Sequence, residues 1–460
     1  MTQAIVWFNS ILRINDHPAF TQASQDHQSI IPIFIFDQRQ LAQKSSNHNH
    51  FLMECLANLD QKIKKLGGQL ILRDGDCLNT LSQLAQEHKV SQIYTTLSYN
   101  PKLQLTYRQL GKKGLTVKQF PGQYIVDDLD QIVTKNQQHY QVFTPFYRNW
   151  LAQKRRLISP TPVHCHLPSK NIKTLQPSYL NQFIKSEDLS PNKIHGGEDL
   201  AYQRLDHFLA NKLNDYLANH DNLSIDGTSH LSADLNFGTI SPLMIEASLN
   251  PSTNSTAWLR QMCWREFYAY ILYYYPDNLK QEFQTKYRNL QWTNDPIYLQ
   301  AWQNSQTGYP IIDSAMKQLR LEGFIHNRAR LIVASFLTKD LDIDWRLGQQ
   351  YFEKYLIDHD TASNNGNWQW VTSVGVDPVP MFRRFYNPIK QQIAYDKTGQ
   401  YVKKYLPTLA QVPNQFLAQP WIMPISQQVS SNCLIGVDYP LPIVDHQLAR
   451  QIAFNKYKLN

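Results

Sequence analysis

The residues with the clearest chemical potential lie in a tryptophan-rich segment near the middle of the chain. Two tryptophans, a glutamine and an arginine follow one another at spacings of three, three and one: Trp258, Gln261, Trp264 and Arg265. On a helix these residues share one broad face, which presents two aromatic planes, an amide and a fixed positive charge. A core helix with amphipathic aromatic residues would show the same spacing, so this segment alone leaves both interpretations open.

A second segment offers groups that bind phosphate. It holds an amide, two guanidiniums and an apolar side chain, in Asn327, Arg328, Arg330 and Leu331. Arginine suits phosphate because its planar fork makes two parallel hydrogen bonds. A solvated helix face would carry the same residue types, so this pattern does not by itself indicate a ligand.

A third segment combines carboxylates, amides and two tryptophans. Asp358 and Asp360 are paired carboxylates that could bind a ribose or a metal ion, or act as acid and base. The Asn-Asn-Gly run that begins at Asn364 predicts an amide-rich loop, since these residues favour turns. A calcium loop is excluded because the glutamate at its twelfth position is missing. Trp368 and Trp370 follow the predicted loop.

A run of hydroxyl side chains follows Gly227 at a predicted helix start, with Thr228, Ser229 and Ser232 around Leu231. Backbone N–H groups and hydroxyls at a helix N-terminus bind phosphate, although ordinary N-capping uses the same residues. Together with the carboxylates, amides and tryptophans, this run suits a large aromatic cofactor that carries phosphates.

The elements that must position these groups begin with an alternation of strands and helices. Short β-rich runs separated by single helices occupy residues 4–8, 30–36, 69–75, 91–97 and 115–120. This alternation predicts a parallel, Rossmann-like sheet with right-handed crossovers. Ligands of such sheets bind at the carboxyl ends of the strands. No GxGxxG run follows the first strand, so the dinucleotide fingerprint is absent there.

The rest of the chain divides into a connector and a helical region. Pro-rich, Asn-rich and Lys-rich stretches with little periodicity predict a connector on the surface. Beyond it, apolar residues recur at helical spacing without strand alternation. We therefore expect an α/β domain over residues 1–130, an interdomain connector over 131–200 and an all-helical domain over 201–460.

Composition narrows the classes of function. The net charge of +8 favours a polyanionic partner. The five cysteines are scattered and form no CxxC pair, which argues against a disulfide framework and a zinc site. No apolar run reaches the roughly 18 residues of a membrane span, and no secretory signal is visible. A cytoplasmic location is the expectation that follows.

The order and spacing of these segments resemble the DNA photolyase/cryptochrome family over nearly the whole chain. The similar runs include VFTPFYRNW, GTSHLSADLNFGTISP, CWREFYAYIL, IHNRARLIVASFLTKDL and DHDTASNNGNWQW. Within the family, the chain is most similar to class I cyclobutane pyrimidine dimer photolyases. The resemblance implies an N-terminal antenna domain and a helical domain that binds FAD. It also allows an antenna chromophore, a folate or a deazaflavin.

The resemblance further implies which residues hold FAD. The pyrophosphate and ribityl region would be lined by Tyr216, Thr228, Ser229, Leu231 and Ser232. The isoalloxazine and the adenosine would be surrounded by Arg265, Asn327, Arg330, Asp358, Asp360 and Asn364. Asn364 falls where the family places the group that faces flavin N5, and repair photolyases typically carry Asn there.

Light-driven electron transfer is the reaction that the resemblance implies. Trp368, Trp345 and Trp292 match the three tryptophans through which the family reduces its flavin. Excited, fully reduced FAD would donate an electron to a cyclobutane dimer flipped out of UV-damaged DNA. The flipped dimer would be contacted by Gln261, Trp264, Asn327, Arg328, Leu331 and Trp370. We expect the protein to act as a monomer.

One departure from the family pattern keeps other activities open, and another concerns the antenna chromophore. Gln261 stands where repair enzymes for cyclobutane dimers usually carry Glu, and enzymes for (6-4) photoproducts often carry Gln there. The latter also carry a His pair where this chain has Asn327 and Arg328. A (6-4) photolyase and a cryptochrome-like photoreceptor are therefore the alternatives. Lys102 and Leu103 replace an Asn-Glu pair that binds a folate antenna in some members.

Overall fold

The chain forms two compact units in the computed structural model, which describes residues 3–168 and 171–459. The sheet unit contains residues 1–214, 229–276 and 357–362, and the helical unit contains residues 215–228, 277–356 and 363–460. Within the described residues, no helix combines the length and the apolarity needed to cross a membrane.

Five parallel strands form the sheet: β1 (Gln3–Trp7), β2 (Ser29–Phe36), β3 (Ile71–Asp74), β4 (Gln92–Thr96) and β5 (Thr116–Phe120). Their order across the sheet is β3-β2-β1-β4-β5, and every neighbouring pair is parallel. The parallel α/β fold predicted for the N-terminal part is confirmed. The strand ends differ from the predicted ends by at most two residues.

Alternate residues of the strands pack into two hydrophobic clusters. Val6 and Ile30 belong to one cluster, whereas their neighbours Ile5 and Ile31 belong to the other. Successive side chains of a strand point to opposite faces of the sheet, so both faces are covered by apolar residues. This explains why the strand sequences are continuous apolar runs, as parallel sheets require.

Helices make up most of the remaining structure. The first eleven are α1 (Pro18–Asp26), α2 (Gln38–Gln43), α3 (Ser46–Lys65), α4 (Cys77–Glu87), α5 (Pro101–Lys112), α6 (Phe143–Ala152), α7 (Glu198–Asn211), α8 (Tyr216–Asn219), α9 (Ser232–Phe237), α10 (Pro242–Ala247) and α11 (Thr253–Tyr274). They are followed by α12 (Pro296–Asn304), α13 (Pro310–Glu322), α14 (Asn327–Ser335), α15 (Trp345–Tyr355), α16 (Thr361–Thr372), α17 (Pro388–Tyr395), α18 (Gln400–Tyr405), α19 (Asn414–Leu417), α20 (Ile425–Ser430) and α21 (His446–Leu459). The helical fold predicted for the C-terminal part is confirmed.

The segment predicted as a connector contains a helix. α6 buries four aromatic residues on one face, Phe143, Phe146, Tyr147 and Trp150. Their spacing is a helical signal, which the Pro-rich and Lys-rich sequence after them obscured. Residues 169 and 170 of the predicted connector lie outside the described residues. The domain boundaries expected from the sequence stay a prediction.

The five cysteines are all free thiols. Cys55, Cys165, Cys263 and Cys433 are buried, and Cys77 is half-buried. Burial raises the pKa of every one of these thiols, to about 11 for Cys77 and to about 12 for Cys165. The cysteines therefore behave as small apolar core residues rather than as nucleophiles.

Candidate functional site

The sheet unit contains a cleft of about 330 Å³ at the carboxyl ends of β1 and β4. Asn9 and Ser10 line it just after β1, and Ser98 and Asn100 line it just after β4. This is the edge at which parallel sheets bind ligands, because the loops leaving neighbouring strands separate there. The cleft lies where the sequence placed a ligand site, and Leu103 forms part of its wall.

Polar groups in this cleft are only partly satisfied. Asn9 donates its amide to Thr95 Oγ1 at 3.1 Å and to Tyr107 Oη at 2.7 Å. The Oε1 atom of Gln123, another lining residue, is buried and has no hydrogen-bond partner among the described residues. A buried amide oxygen without a donor is costly, so a ligand that donates a hydrogen bond there would stabilise the cleft. Gln123 could not be identified from the sequence, because its segment carries no periodic pattern.

The tryptophans and the glutamine of α11 do not share one environment. Trp258 is buried against Phe208, with ring centroids 5.2 Å apart. Gln261 is exposed and Trp264 is half-buried. The broad face predicted from the spacing therefore divides into a core edge at Trp258 and an accessible edge at Gln261 and Trp264. The hypothesis that Trp258 belongs to the binding face is not supported.

The ring of Trp264 lies on Phe143 from α6. The two ring centroids are 3.7 Å apart and the planes differ by 5°. The Arg260 guanidinium also lies near Phe143, 4.9 Å from the centroid of its ring. Phe143 could not be identified from the sequence as the partner of Trp264 and Arg260, because it lies more than a hundred positions away from both. The stack holds Trp264 in one orientation before any ligand arrives.

The two charged residues after Trp264 are anchored inside the sheet unit. Arg265 donates to the backbone oxygens of Gln123 and Leu235, at 2.9 and 3.1 Å. Glu266 is fully buried and accepts from the indole of Trp150 at 2.6 Å and from two backbone N–H groups. Burial raises the pKa of Glu266 to about 7, against the lowering effect of these donors. Glu266 thus holds α11 and α6 together, a role that the sequence analysis did not assign.

The hydroxyl-rich run starts its helix later than the sequence predicted. α9 begins at Ser232, and Leu231 occupies the N-cap position without a side-chain hydrogen bond. Ser229 accepts instead from the Leu231 N–H at 3.4 Å, within a turn in which His230 has a φ of 55°. The alternative interpretation of this run, ordinary N-capping by Ser or Thr, is therefore not observed at α9. Thr228 lies in the helical unit.

Three further residues assigned to FAD lie outside the hydroxyl-rich run: Asp358, Asp360 and Tyr216. Asp358 is buried, and Asp360 lines the cleft of the sheet unit. Tyr216, in the helical unit, is buried and stacks on His220 with centroids 4.9 Å apart. Burial raises the pKa of the Tyr216 phenol, so this side chain is a neutral hydrogen-bonding group.

The segment whose residue types suit phosphate binding forms the start of α14 in the helical unit. Asn327 is its first residue, and the His326 ring Nδ1 caps it by accepting from the Arg328 N–H at 3.1 Å. The Arg328 guanidinium pairs with Asp221 and lies 4.3 Å from the Tyr395 ring centroid. Arg328 is thus already paired, which makes it a poorer phosphate ligand than the sequence suggested.

Two other side chains of α14 face different surroundings. Arg330 donates from Nε to the backbone oxygen of Ile325 at 2.8 Å. Leu331 packs against the main core of the helical unit. The functional roles of Asn327, Arg330 and Leu331 stay predictions.

The predicted amide-rich loop is in fact part of helix α16. Asn365 donates to the backbone oxygen of Asn278 and to Gln349 Oε1, both at 3.0 Å. Asn364 is buried, and its Nδ2 donates to the backbone oxygen of Gln349 at 3.1 Å. These tertiary hydrogen bonds outweigh the weak helix propensity of Asn and Gly. The amide of Asn364 is fixed so that its Oδ1 is the end that could face a ligand.

The three tryptophans assigned to electron transfer differ in burial. Trp368 and Trp345 are buried in the core of the helical unit, whereas Trp292 is only partly buried. The Trp345 indole donates to Glu282 at 3.2 Å, and the Lys456 ammonium lies 4.1 Å from the Trp292 ring centroid. Two of the three indoles are therefore interior and the third lies nearer the surface, and the electron path assigned to them stays a prediction.

Two neighbours of Trp368 were missed by sequence reasoning. Gly348 leaves room for the indole, because a Cβ at that position would overlap with Trp368 Cη2. Trp302 packs edge-on against Trp368, with centroids 6.3 Å apart. Both contacts join residues on different helices, which periodicity cannot pair.

Trp370 is held by one charged partner, Arg384. The Arg384 guanidinium lies 3.7 Å from its ring centroid, and Arg384 donates to the backbone oxygens of Trp370 and Asp377 at 2.9 and 2.7 Å. A cation over an aromatic face is attracted by the ring quadrupole. One face of Trp370 is thus covered by Arg384, as one face of Trp264 is covered by Phe143.

Sequence models of two families match this chain. The model described as DNA photolyase matches residues 4–167, and the model described as FAD binding domain of DNA photolyase matches residues 258–459. Together they cover most of both units.

Named relatives resemble the chain over its whole length. The deoxyribodipyrimidine photo-lyase of Alkalihalophilus pseudofirmus is 35% identical, over 98% of this chain and 97% of the relative. A class III photolyase from Agrobacterium tumefaciens has a similar structure, with a TM-score of 0.92 and 31% identity over 100% of this chain and 98% of the other. A cryptochrome from Synechocystis matches with a TM-score of 0.91 and 26% identity, over 100% of this chain and 99% of the other.

Proposed function

The chain belongs to the DNA photolyase family, and we propose that it repairs cyclobutane pyrimidine dimers in UV-damaged DNA with the energy of light. Its enzyme class is that of its relatives, a carbon–carbon lyase. The observation that carries this proposal is helix α16, which bears Asn364, Trp368 and Trp370. One helix thus carries the residue assigned to the flavin, the first residue of the electron path and a residue assigned to the lesion.

FAD is the cofactor of this family, and Asn364 in the helical unit fits it, because its Nδ2 is already bonded and its Oδ1 is left to accept a hydrogen bond. Asn364 is buried with its Oδ1 directed by the hydrogen bond to Gln349. When it is bound, reduced FAD would supply the light-driven electron transfer that splits the cyclobutane ring. The remaining flavin assignments stay predictions.

The aromatic residues have two separate tasks in this proposal. Trp264 and Trp370 each keep a flat ring in a fixed orientation, against Phe143 and Arg384 respectively. Such a ring can stack on a base that has left the duplex. Trp368, Trp345 and Trp292 are proposed to carry electrons between the interior and the surface.

The cleft of the sheet unit is the proposed place of the antenna chromophore. Its position at the carboxyl ends of β1 and β4 and its unsatisfied Gln123 oxygen suit a flat heterocycle that donates hydrogen bonds. A folate or a deazaflavin carries such donors. Leu103 in the wall offers an apolar contact in place of an acidic group, which favours the deazaflavin.

DNA is the partner that the family implies, and the net charge of +8 suits it. We propose that the protein acts as a monomer in the cytoplasm. The five free thiols support a reducing compartment, because secreted proteins usually pair their cysteines.

The test is a repair assay with purified, photoreduced protein. Oligonucleotides that carry either a cyclobutane dimer or a (6-4) photoproduct are incubated with the protein in blue light and in the dark. We expect light-dependent loss of the cyclobutane dimer alone. Turnover of the (6-4) lesion, the alternative that Gln261 favours, would replace our proposal. FAD binding without turnover of either lesion would favour the photoreceptor alternative and reject repair.

A further inference from the structure

A second cleft, of about 850 Å³, lies in the helical unit between α17 and α21. Its walls come from the segment around Phe385 and Lys390 and from one face of α21, which includes Arg450 and Phe454. We call it the α17–α21 cleft. None of the roles assigned above involves it.

The charge of the α17–α21 cleft is positive. Lys390 and Arg450 are both exposed, and none of the described residues that line the cleft is acidic. The bias is confined to the segments that supply the walls, since residues 378–395 and 446–459 contain no Asp or Glu, whereas Asp377, Asp396 and Asp445 flank them. The His446 ring, which also lines the cleft, is hydrogen-bonded to the buried carboxylate of Asp340. An anion is therefore the ligand that this cleft favours.

Two aromatic rings give the cleft a second property. Phe385 and Phe454 are nearly parallel, with planes 11° apart and centroids separated by 6.4 Å. Both rings are half-buried, so part of their aromatic surface is left for a third ring. The Arg450 guanidinium lies 5.3 Å from the Phe454 ring centroid. The α17–α21 cleft therefore offers neighbouring places for a planar aromatic group and for a negatively charged group.

The cleft also contains a buried acceptor. The Oε1 atom of Gln391 is buried and has no hydrogen-bond partner among the described residues. Amide side chains from Asn387 and Gln451 lie along the same walls. Amides that both donate and accept suit the edges of a nucleobase, whereas an inorganic anion would leave the Gln391 oxygen unsatisfied.

We propose that the α17–α21 cleft binds a nucleotide of a single DNA strand, with the phosphate at Lys390 and Arg450 and the base against Phe454. Basic side chains next to an aromatic face are the combination by which proteins hold single strands without regard to sequence. The strand would then contact the protein at a second place besides the residues assigned to the lesion.

One wall of the cleft is joined in sequence to a contact of a residue assigned to the lesion. Phe385 directly follows Arg384, whose guanidinium lies on the ring of Trp370. Trp370 is assigned to the lesion, so the cleft begins one residue beyond a side chain that touches a lesion residue. This step of the argument rests on the proposed function, because it takes Trp370 as a residue that contacts the lesion.

The proposal is tested on undamaged DNA in the dark, so it does not depend on repair. Binding of a fluorescent eight-residue oligothymidylate is measured by anisotropy over a range of salt concentrations. In Lys390→Gln/Arg450→Gln we expect about ten-fold weaker binding and a salt slope smaller by about 1.4, since each phosphate contact on a single strand contributes about 0.7. In Phe454→Leu we expect about ten-fold weaker binding, the loss of one stacked base, with the slope unchanged.

The control removes the same charge elsewhere in the helical unit. Lys397 and Lys458 are exposed and do not line the cleft, so Lys397→Gln/Lys458→Gln should bind like the unchanged protein. Equal losses in this control, or unchanged affinity and slope in the cleft variants, would overturn the proposal.

A second experiment uses thymidine monophosphate as the ligand. If thymidine monophosphate binds the cleft while the cleft variants bind the oligonucleotide as the unchanged protein does, the ligand is a free nucleotide and the strand proposal is wrong. Thermal melting confirms that each variant is folded.

Discussion

At the scale of single residues, the covered faces of Trp264 and Trp370 limit how they can bind a lesion. Phe143 occupies one face of Trp264, and Arg384 occupies one face of Trp370. Each ring therefore has a single face for a substrate. The orientation is fixed before binding, so ordering these side chains adds little to the entropic cost of association.

The first prediction concerns Gln261. Changing it to Glu restores the residue type usual in cyclobutane dimer repair and adds a charged acceptor at the exposed edge of α11. We expect Gln261→Glu to repair the dimer several-fold faster per photon, measured with a lesion-bearing oligonucleotide. Gln86→Glu, an exposed position on α4, makes the same charge change as a control. Unchanged or slower repair would count against the role of Gln261.

The second prediction concerns Trp368. Replacement by Phe keeps an apolar ring in the core but removes a residue that can be oxidised, so photoreduction of the bound flavin should slow at least ten-fold. The measurement is flavin absorbance under blue light with an external reductant. Repair by chemically reduced Trp368→Phe should stay normal. In the control, Trp421→Phe changes a tryptophan of the same core without an assigned role. Equal photoreduction in both variants would reject the path.

At the scale of elements, α16 shows where local sequence fails as a guide. Asn364, Asn365 and Gly366 favour turns, yet they lie inside a helix. The deciding hydrogen bonds go to Asn278 and Gln349, which are distant in sequence. The strands could be predicted because their signal, short apolar runs between turns, is local. The residue types of the site could also be predicted, because they lie in short local segments. Their packing partners could not, because a contact such as that of Phe143 with Trp264 joins distant parts of the sequence.

A third prediction concerns the packing of α15 against α16. A Cβ at Gly348 would overlap with the Trp368 indole and with Leu337 Cδ2. Gly348→Ala should therefore lower the free energy of unfolding by about 1–3 kcal/mol, the usual cost of overpacking. Chemical denaturation measures this loss. Gly111→Ala on α5 is the matched control, because an added Cβ there meets nothing within 4 Å. An unchanged free energy of unfolding in Gly348→Ala would contradict this packing of α15 against α16.

A fourth prediction concerns the start of α1. His17 caps this helix, since its Nδ1 accepts from the Phe20 N–H at 3.2 Å. Burial, together with the positive charge of Arg13, lowers the pKa of His17 to about 3. Between about pH 6.5 and pH 3 the unfolded chain binds a proton that the folded chain does not, so stability should fall as the pH drops through this window. For one such group, the free energy of unfolding falls by at most about 1.4 kcal/mol for each pH unit.

The variant that tests this contribution is His17→Asn. Asn caps helices well and does not titrate, so the variant should lose less stability between pH 6.5 and pH 4 than the unchanged protein, even if a smaller side chain lowers stability at neutral pH. Denaturation curves at several pH values give the slope. An identical pH slope in both proteins would show that His17 is not the group responsible.

At the scale of the whole molecule, the excess of basic residues sets the conditions for DNA binding. The net charge of +8 predicts an affinity that falls with salt, because bound phosphates release counterions. As a fifth prediction, the logarithm of the affinity for lesion-bearing duplex DNA should fall linearly with the logarithm of the salt concentration, by about 0.9 per phosphate contact. Binding titrations test this, and affinity independent of salt would exclude a phosphate-based interface.

The burial of the thiols has a practical consequence for spectroscopy. Maleimides and other alkylating probes react with thiolates, and the native cysteines hold their protons because their pKa values are raised. A single cysteine introduced on the surface, for example at Gln447 on the wall of the α17–α21 cleft, would then be the main reactive position. Fluorophores or spin labels could be attached there without first removing the natural thiols, so the approach of a DNA strand could be followed in the otherwise unaltered protein.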